Sequence, residues 1–246
     1  MLAAISVALL ALLSTATLAN ARVSNSADGH VARRAAHPSA VSLTNSLVAH
    51  WAPVVSDVSA RREPNRSAPI VATIRTVTGD GSQNLVLILS RLNVSPTQTW
   101  FDVRLATLPS STGWVPRSAL GNIYTVTTHL YVDRKSFTAT LKRSGVTVFT
   151  TRVGVGKPYW PTPAGEFYIR DKLTHFNNPF YGPLAFGTSA RSAVLTDWPG
   201  GGFVGVHGTD EPGIPGQVSH GCIRVVNSAL MQLGKLMPVG TPLTIT

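Results

Sequence analysis

Short runs of β-prone residues, separated by turn residues, recur along the chain from about residue 52 and limit its fold more than any other feature. A first group of runs predicts a small β-barrel. A second group continues the pattern to the end of the chain. The runs of the first group lie at 54–58, 70–74, 85–89, 100–105 and 114–116, and those of the second at 130–132, 138–141, 146–149, 153–156, 166–169, 202–206 and 243–245.

One segment near the end of the chain has helical periodicity. Leu230, Leu233 and Met237 fall on one face of a helix predicted over 228–237, with Asn227 as its N-cap. With a single late helix among many strands, the sequence predicts a mainly β protein.

Residues 172–202 have no periodicity and are rich in Gly, Pro, Asn and aromatic residues. Structureless segments of this length inside a compact domain often cover binding sites. We therefore expect a lid or binding loop here.

The N-terminal region has the features of a secretory signal peptide over residues 1–21. An apolar stretch too short to span a bilayer runs over 1–13 and leads to Ala-Asn-Ala at 19–21, an A-x-A cleavage site. A retained anchor is the alternative. Residues 22–51, rich in Ala and Ser, are predicted as a flexible linker. The protein is therefore expected to be exported to the cell envelope or cell wall.

The chain carries a formal net charge of +10, and no dense run of Lys or Arg accounts for it. A positive charge spread over the whole surface suits anionic surroundings such as a cell envelope. It gives no concentrated footprint for nucleic acid, so no nucleic-acid partner is expected.

Cys222 is the only cysteine. An exported protein with one cysteine has no internal disulfide, and its thiol is free and often reactive. The alternative is a buried structural cysteine that packs as a small hydrophobic residue.

A cysteine nucleophile needs a base, because a free thiol is only a few per cent thiolate at neutral pH. No histidine follows Cys222, which excludes the papain-like order of cysteine first and histidine later. The candidate bases are His129, His175, His207 and His220. His220 shares strand parity with Cys222, and His207 follows a predicted strand.

The remaining residues of the segment 219–225 also suit acyl transfer. Gly221 allows a positive φ beside the thiol, and the N–H groups of Gly221 and Cys222 are candidate oxyanion donors. Arg224 has the parity of Cys222 and is a candidate carboxylate ligand. A zinc site formed by His207, His220, Cys222 and Asp210 is an alternative with little support from their spacing, and a purely structural cluster is another.

Two families are similar to parts of this pattern. Residues Trp100, Val103, Arg104, Leu105 and 113–116 resemble the end of a bacterial SH3-like domain, predicted over 52–121. The sequence His-Gly-Thr at 207–209, followed by Ser-His-Gly-Cys-Ile-Arg at 219–224, resembles the signature of the L,D-transpeptidases with a YkuD-type catalytic domain. Pro-Thr-Pro-Ala-Gly-Glu-Phe at 161–167, Asn227 and Gly-Thr-Pro at 240–242 add to this resemblance, which covers 122–246.

The YkuD resemblance implies a β-sandwich catalytic domain that cross-links peptidoglycan without a cofactor or metal. In the family, the cysteine matching Cys222 attacks a donor stem peptide before its terminal D-alanine. An amine of an acceptor stem then resolves the acyl-enzyme and forms a 3→3 cross-link. His207 corresponds to the base, oriented by a backbone carbonyl near Gly208, and His220 supports the oxyanion.

The resemblance also implies smaller parts for other residues, together with partners and alternatives. Ser219 and Arg224 complete the motif, and Tyr181 is expected to shape the oxyanion pocket or lid. Both donor and acceptor stem peptides are expected partners, carbapenems are expected inhibitors, and the protein is expected to be a monomer. The alternatives are an L,D-carboxypeptidase, in which water resolves the acyl-enzyme, and a wall-binding module whose catalytic site is unused.

Overall fold

The computed structural model describes residues 39–174, 179–196 and 201–246. The predicted signal peptide (1–21), most of the predicted linker and the candidate base His175 lie outside these residues. In the described part of the chain, no helix is long and apolar enough to cross a membrane.

The first half of the described chain forms an eight-stranded sheet with the order β4-β3-β7-β6-β5-β2-β8, and β1 pairs with β5. Its core is a cluster of buried aliphatic residues together with Phe101. A 3-10 turn at Arg117–Ala119 follows β7. The strands are β1 (Val41–Ser42), β2 (Ala49–Pro53), β3 (Val58–Arg61), β4 (Ile70–Ile74), β5 (Leu85–Ser95), β6 (Gln98–Leu105), β7 (Ser111–Pro116) and β8 (Tyr124–Val126).

The edges of this sheet differ from the sequence prediction. Residues 41–42 and 49–51, predicted as linker, are in strands, and the run predicted at 54–58 lies mostly between β2 and β3. β8, predicted to begin the second block, pairs with β2, where Tyr124 stacks on Trp51 with ring centroids 4.6 Å apart. Edge strands held by such distant pairings have no local signal. The SH3-like resemblance of 52–121 stays a prediction.

The second half forms a ten-stranded sheet with the order β11-β10-β9-β18-β13-β14-β15-β17-β12-β16. A 3-10 turn lies at Pro179–Tyr181. The elements are β9 (Thr128–Asp133), β10 (Thr138–Arg143), β11 (Val146–Arg152), β12 (Gly154–Gly156), β13 (Gly165–Leu173), β14 (Ala185–Arg191), β15 (Phe203–Thr209), β16 (Gly216–Ser219), β17 (Ile223–Val226), the helix α1 (Asn227–Leu236) and β18 (Pro242–Ile245).

The predicted hairpin at 138–149 is confirmed as β10 and β11, which pair antiparallel. Ser144 and Gly145 form its turn with φ values of 47° and 81°. Tight hairpins favour positive φ at both central residues because that twist matches the strands. Leu130 and Val132 on β9 alternate with more exposed neighbours and bury their side chains in the core, as period-2 patterning requires.

Residues 172–202, predicted as a loop, contain β14 and the end of β13. β14 carries the fully buried polar residues Thr188 and Ser189. The Thr188 hydroxyl donates to the Val204 carbonyl at 2.6 Å, and the Tyr168 N–H donates to the Ser189 hydroxyl at 3.0 Å. The strand is therefore stabilised by neighbouring strands and not by the apolar alternation on which the prediction relied.

The predicted late helix is present as α1, and Leu230, Leu233 and Met237 are buried against the sheet. Asn227, however, is its first residue and makes no capping bond. Its side-chain amide donates instead to the carboxylate of Asp210 at 2.6 Å. The predicted N-cap side chain is thus used in a tertiary contact beside β15.

The two sheets share an apolar cluster that includes Leu85, Leu87 and Tyr168. Tyr168 is fully buried, and its hydroxyl donates to the Leu85 carbonyl at 3.1 Å. Burial raises the pKa of Tyr168 to about 12, so this donor keeps its proton. The cluster and this bond join β13 of the second sheet to β5 of the first.

Candidate active site

The pairing of β15 with β17 brings the two halves of the motif together. These strands are parallel neighbours with Val206 opposite Ile223 and His207 opposite Arg224. Cys222, one residue before Ile223, therefore lies beside Gly205. A gap of 15 positions in sequence is closed by one strand pairing.

Cys222 is a free, half-buried thiol at the end of a bend. The Gly205 N–H donates to its sulfur at 3.4 Å. Burial raises the pKa of the Cys222 thiol, while this N–H and the positive Arg224 oppose the rise. The resting sulfur is therefore favoured as a protonated thiol.

His207 is 2% exposed, and its Nδ1 lies 2.8 Å from the carbonyl oxygen of Gly208. A carbonyl only accepts, so Nδ1 carries the proton and Nε2 has the free lone pair. Burial lowers the pKa of His207 to about 4, Arg224 adds to this, and the Gly208 carbonyl opposes it. His207 is therefore a neutral imidazole whose Nε2 lone pair is free to accept a proton, and the predicted carbonyl orients its ring.

His220 lies in the bend between β16 and β17, so the strand parity expected between it and Cys222 does not apply. Its ring is exposed and packs on Trp160, with centroids 4.2 Å apart and planes tilted by 40°. His220 and Cys222 nevertheless line the same pocket. Stacking on an indole fixes this imidazole at the pocket wall.

Ser219 holds the bend that presents the thiol. It is 1% exposed, its hydroxyl donates to the Cys222 carbonyl at 2.6 Å, and it accepts from the Gly221 N–H at 3.0 Å. Gly221 has the expected positive φ, at 112°. Since its N–H is already bonded to Ser219, the expected pair of oxyanion donors is reduced to the Cys222 N–H.

Thr162 hydrogen-bonds to the same bend, although it lies about 60 positions earlier in the sequence. Its hydroxyl donates to the Gly221 carbonyl and accepts from the Gly156 N–H, both at 2.8 Å, and the side chain is 1% exposed. Both backbone groups of Gly221 are therefore held, and the conformation that places Cys222 is fixed from two sides.

Arg224 is 8% exposed and forms an ion pair with Glu211. Its guanidinium carbon also lies 4.8 Å from the ring centroid of Phe180. The Nη1 atom of Arg224 is thus engaged by a carboxylate of the protein, and the predicted grip on a substrate carboxylate stays a prediction. The Nε atom is buried without a hydrogen-bond partner.

Tyr181 is brought to the site by the 3-10 turn at Pro179–Tyr181. Its ring meets the His207 ring edge to face, with centroids 4.9 Å apart and planes at 88°. Phe180 lies beside it at 5.4 Å and covers Arg224. The turn therefore packs against His207 and Arg224, and the lid predicted over 172–202 stays a prediction.

The structure brings six of the predicted site residues into the lining of one pocket, together with Phe180, Phe203 and Val204. Gly208 and Gly221 do not line the pocket, but their backbone groups hydrogen-bond to His207 and Ser219, which do. In the described part of the chain, no group of three or more His, Cys, Asp or Glu side chains is arranged to hold a metal ion. The six are Tyr181, His207, Ser219, His220, Cys222 and Arg224.

Three residues that shape the site were not predicted from the sequence, and a fourth was marked only by the family resemblance. Glu211 follows the His-Gly-Thr motif by two positions, and a single acid there gives no signal by itself. Trp160 and Phe180 are aromatic residues of loops, which sequence patterning does not place. Thr162 belongs to the matched segment 161–167, and only that resemblance pointed to it.

A scan against family models matches residues 127–245 to the YkuD L,D-transpeptidase catalytic domain. An L,D-transpeptidase of Bacillus subtilis named YkuD is 33% identical over 123 residues, which are 50% of this chain and 68% of that protein. This chain belongs to the YkuD family of L,D-transpeptidase catalytic domains. The YkuD domain begins at the junction of β8 and β9, five residues after the predicted boundary at 122.

Solved structures of L,D-transpeptidases are similar to about half of the chain. A cysteine-to-serine mutant of the Enterococcus faecium enzyme is 26% identical, with a TM-score of 0.38, over 48% of this chain and 49% of that one. This chain thus spans about half of that protein. The catalytic domain of the E. faecium enzyme acylated by ertapenem is 28% identical over 48% of this chain and 96% of that one, with a TM-score of 0.35.

Proposed function

We propose that this YkuD-family protein is a cysteine-dependent L,D-transpeptidase that forms 3→3 cross-links between peptidoglycan stem peptides. One observation carries the proposal. The thiol of Cys222 and an imidazole whose Nδ1 is held by the Gly208 carbonyl line a single pocket. A positioned base beside a thiol is the arrangement that nucleophilic acyl transfer requires.

In the first half-reaction, the Cys222 sulfur attacks the carbonyl between the third and fourth residues of a donor stem. His207 Nε2 takes the thiol proton as the C–S bond forms. The C–N bond then breaks, and the imidazolium returns the proton to the leaving amine of D-alanine. The product is a thioester on Cys222.

In the second half-reaction, the side-chain amine of a diamino residue on another stem attacks the thioester. The neutral His207 Nε2 removes a proton from that amine as the new amide forms. The C–S bond breaks, and the sulfur recovers a proton from the imidazolium. The enzyme returns to its neutral thiol and imidazole.

A neutral resting pair matches the electrostatics of the site. Burial raises the pKa of Cys222 and lowers the pKa of His207 to about 4, and both effects disfavour a standing thiolate–imidazolium pair. Proton transfer is therefore expected to accompany attack on the carbonyl. This predicts a slow reaction of the resting thiol with simple alkylating agents.

The oxyanion of each tetrahedral intermediate needs donors beside Cys222. The Cys222 N–H is our assignment, because Ser219 and Thr162 fix the bend that carries it. His220, held on Trp160, and Tyr181, placed against His207, are assigned to the pocket wall around the oxyanion. Arg224 is assigned to hold the wall through Glu211 and Phe180.

Two alternative functions predict different outcomes with the same stems. An L,D-carboxypeptidase would resolve the thioester with water and leave tripeptide. A wall-binding module would leave the stems unchanged. We also propose that the protein is exported and acts in the cell envelope. This rests on the predicted signal peptide and is tested by cell fractionation.

The deciding experiment incubates the protein with purified tetrapeptide stems and identifies the products by mass spectrometry. A 3→3 dimer is expected from the wild type and none from Cys222→Ala. Carbapenem adducts, expected from family membership, should also need Cys222. Dimer formation by Cys222→Ala would refute the assignment, whereas tripeptide alone would support the carboxypeptidase.

A further inference from the structure

Glu211 lies beside the active site, although it is not among the described residues that line the pocket. It comes two residues after the end of β15, and its N–H donates to the hydroxyl of the buried Thr209 at 3.0 Å. Its carboxylate forms an ion pair with Arg224, and the side chains of Glu211 and Arg224 are 54% and 9% exposed. A half-exposed carboxylate therefore pairs with a buried cation of the site.

Arg224 is the one permanently charged side chain among the described residues that line the pocket of Cys222. It lies opposite His207 in the pairing of β15 with β17, and paired residues of parallel strands project their side chains from the same face of the sheet. The ring of Phe180 covers the guanidinium at 4.8 Å. A charge buried in this way is weakly screened by water, so it acts on both the thiol and the imidazole.

The charges of Arg224 and Glu211 act on the two groups that exchange the proton. Burial raises the pKa of the Cys222 thiol, and Arg224 opposes this rise. Burial also lowers the pKa of His207 to about 4, Arg224 adds to this fall, and Glu211 opposes it. An unbalanced guanidinium would therefore favour a thiolate and make the imidazole a weaker base, and the paired carboxylate limits both effects.

The other titratable side chains at this end of the site are Tyr181 and His220, which line the pocket, and Asp210. Asp210 is the acid next to Glu211 in sequence, but it accepts a hydrogen bond from the Asn227 amide at 2.6 Å. In the part of the chain that the structure describes, the ion pair of Arg224 is with Glu211. The chain therefore offers two adjacent acids, of which one balances the buried cation.

We propose that Glu211 is a positioning residue that acts through Arg224: by pairing the guanidinium, it keeps the resting proton on Cys222 and leaves His207 basic enough to take that proton during attack. The thiol is then ionised only as a carbonyl is attacked, and the resting enzyme is protected from side reactions of a thiolate. The consequence for catalysis rests on the proposed function, whereas the effect on the thiol does not.

The first test measures the rate of alkylation of Cys222 by iodoacetamide and needs no stem peptide. Glu211→Gln is expected to react about 3- to 10-fold faster than the wild type at pH 7.5, because the unbalanced guanidinium stabilises the thiolate. Glu211→Asp keeps the charge and should restore most of the wild-type rate. Asp210→Asn is the matched control, since it removes the neighbouring acid and leaves the ion pair, and it should change the rate by less than about twofold.

A double-mutant cycle separates an action through Arg224 from a direct action of Glu211 on the thiol. Arg224→Met should slow alkylation at pH 7.5 by about 3- to 10-fold, and adding Glu211→Gln to it should change the rate no further. Thermal melts establish that each variant is folded. If the unpaired guanidinium prevents Glu211→Gln from folding, Arg224→Met with and without Glu211→Gln still tests the proposal, because neither protein holds an unpaired buried cation.

The second test follows dimer formation from tetrapeptide stems as a function of pH. In Glu211→Gln the acid limb of kcat/KM should move to lower pH, because His207 then stays neutral at lower pH, and Glu211→Asp should return it. Asp210→Asn should leave the limb in place.

Three results would overturn the proposal. The first is alkylation of folded Glu211→Gln at the wild-type rate. The second is an equal acceleration by Asp210→Asn. The third is an effect of Glu211→Gln that persists in the Arg224→Met background. If alkylation responds as expected but the stems give neither dimer nor tripeptide, the effect of Glu211 on the thiol stands and the proposed function fails.

Discussion

His207 should make the folded protein lose stability as the solution is acidified. The side chain is 2% exposed, and burial lowers its pKa from 6.5 to about 4. The unfolded chain binds a proton on this histidine below pH 6.5, whereas the folded chain binds it only near pH 4. The contribution of His207 to the unfolding free energy is therefore fully present above pH 6.5 and is lost as the pH drops from 6.5 to about 4.

The size of the effect follows from the two pKa values. A change from 6.5 to about 4 corresponds to about 3 kcal/mol of unfolding free energy, as an upper value. The assay is urea unfolding of the wild type and of His207→Gln at several values between pH 7.5 and pH 4. The unfolding free energy of the wild type minus that of the variant should fall by up to about 3 kcal/mol as the pH is lowered across this range.

The comparison with the variant removes the contribution of other groups. His129, whose pKa burial and Lys142 also lower to about 4, remains in both proteins and cancels. His129→Gln should give a trend of the same sign. If the difference between the wild type and His207→Gln stays constant from pH 7.5 to pH 4, His207 is not held neutral by burial.

Three further predictions concern the bend and its supports. Alkylation of Cys222 by iodoacetamide should still accelerate above pH 8.5, since burial raises the pKa of this thiol, and a rate that levels off near pH 7 would contradict a neutral resting pair. Ser219→Ala removes the partner of the buried Gly221 N–H and of the half-buried Cys222 carbonyl, and should lower the unfolding free energy by about 2 to 4 kcal/mol. The exposed Ser42→Ala should change it by less than about 0.5 kcal/mol, and urea unfolding measures both. Gly208→Ala should destabilise the protein by about 1 to 3 kcal/mol, because the new Cβ would clash with the Asn227 amide oxygen. Stability should partly return in the double variant with Asn227→Ala, and melts showing no such coupling would argue against this contact.

Chemistry carried by short segments was predictable because it depends on residue type and spacing. The single cysteine and the absence of any later histidine identified Cys222 as a candidate nucleophile with an upstream base. The apolar period of 230–237 predicted α1, and the turn at 144–145 predicted the hairpin of β10 and β11. These signals are local, so no distant contact was needed to interpret them.

Sequence patterning failed where hydrogen bonds between distant segments decide the structure. β14 buries hydroxyl groups that find partners on β13 and β15, so it lacks the alternation of a half-buried strand. The paired residues of β2 and β8 are 73 to 77 positions apart in sequence, and the strands pair only because the first sheet brings them together. The Asn227 side chain donates to Asp210 and does not cap the helix, although its position in the sequence predicted an N-cap.

The sequence by itself determined the mainly β class, the thiol and the set of histidines from which its base is drawn. Tertiary structure decided what each neighbour does. Pairing of β15 with β17 placed Cys222 beside Gly205. Folding also brought Arg224 into an ion pair with Glu211 and the Gly221 N–H into a hydrogen bond with the Ser219 hydroxyl. The physical reason is that a donor or charge takes the partner that folding places within reach, and this partner is set by strand register and burial rather than by spacing along the chain.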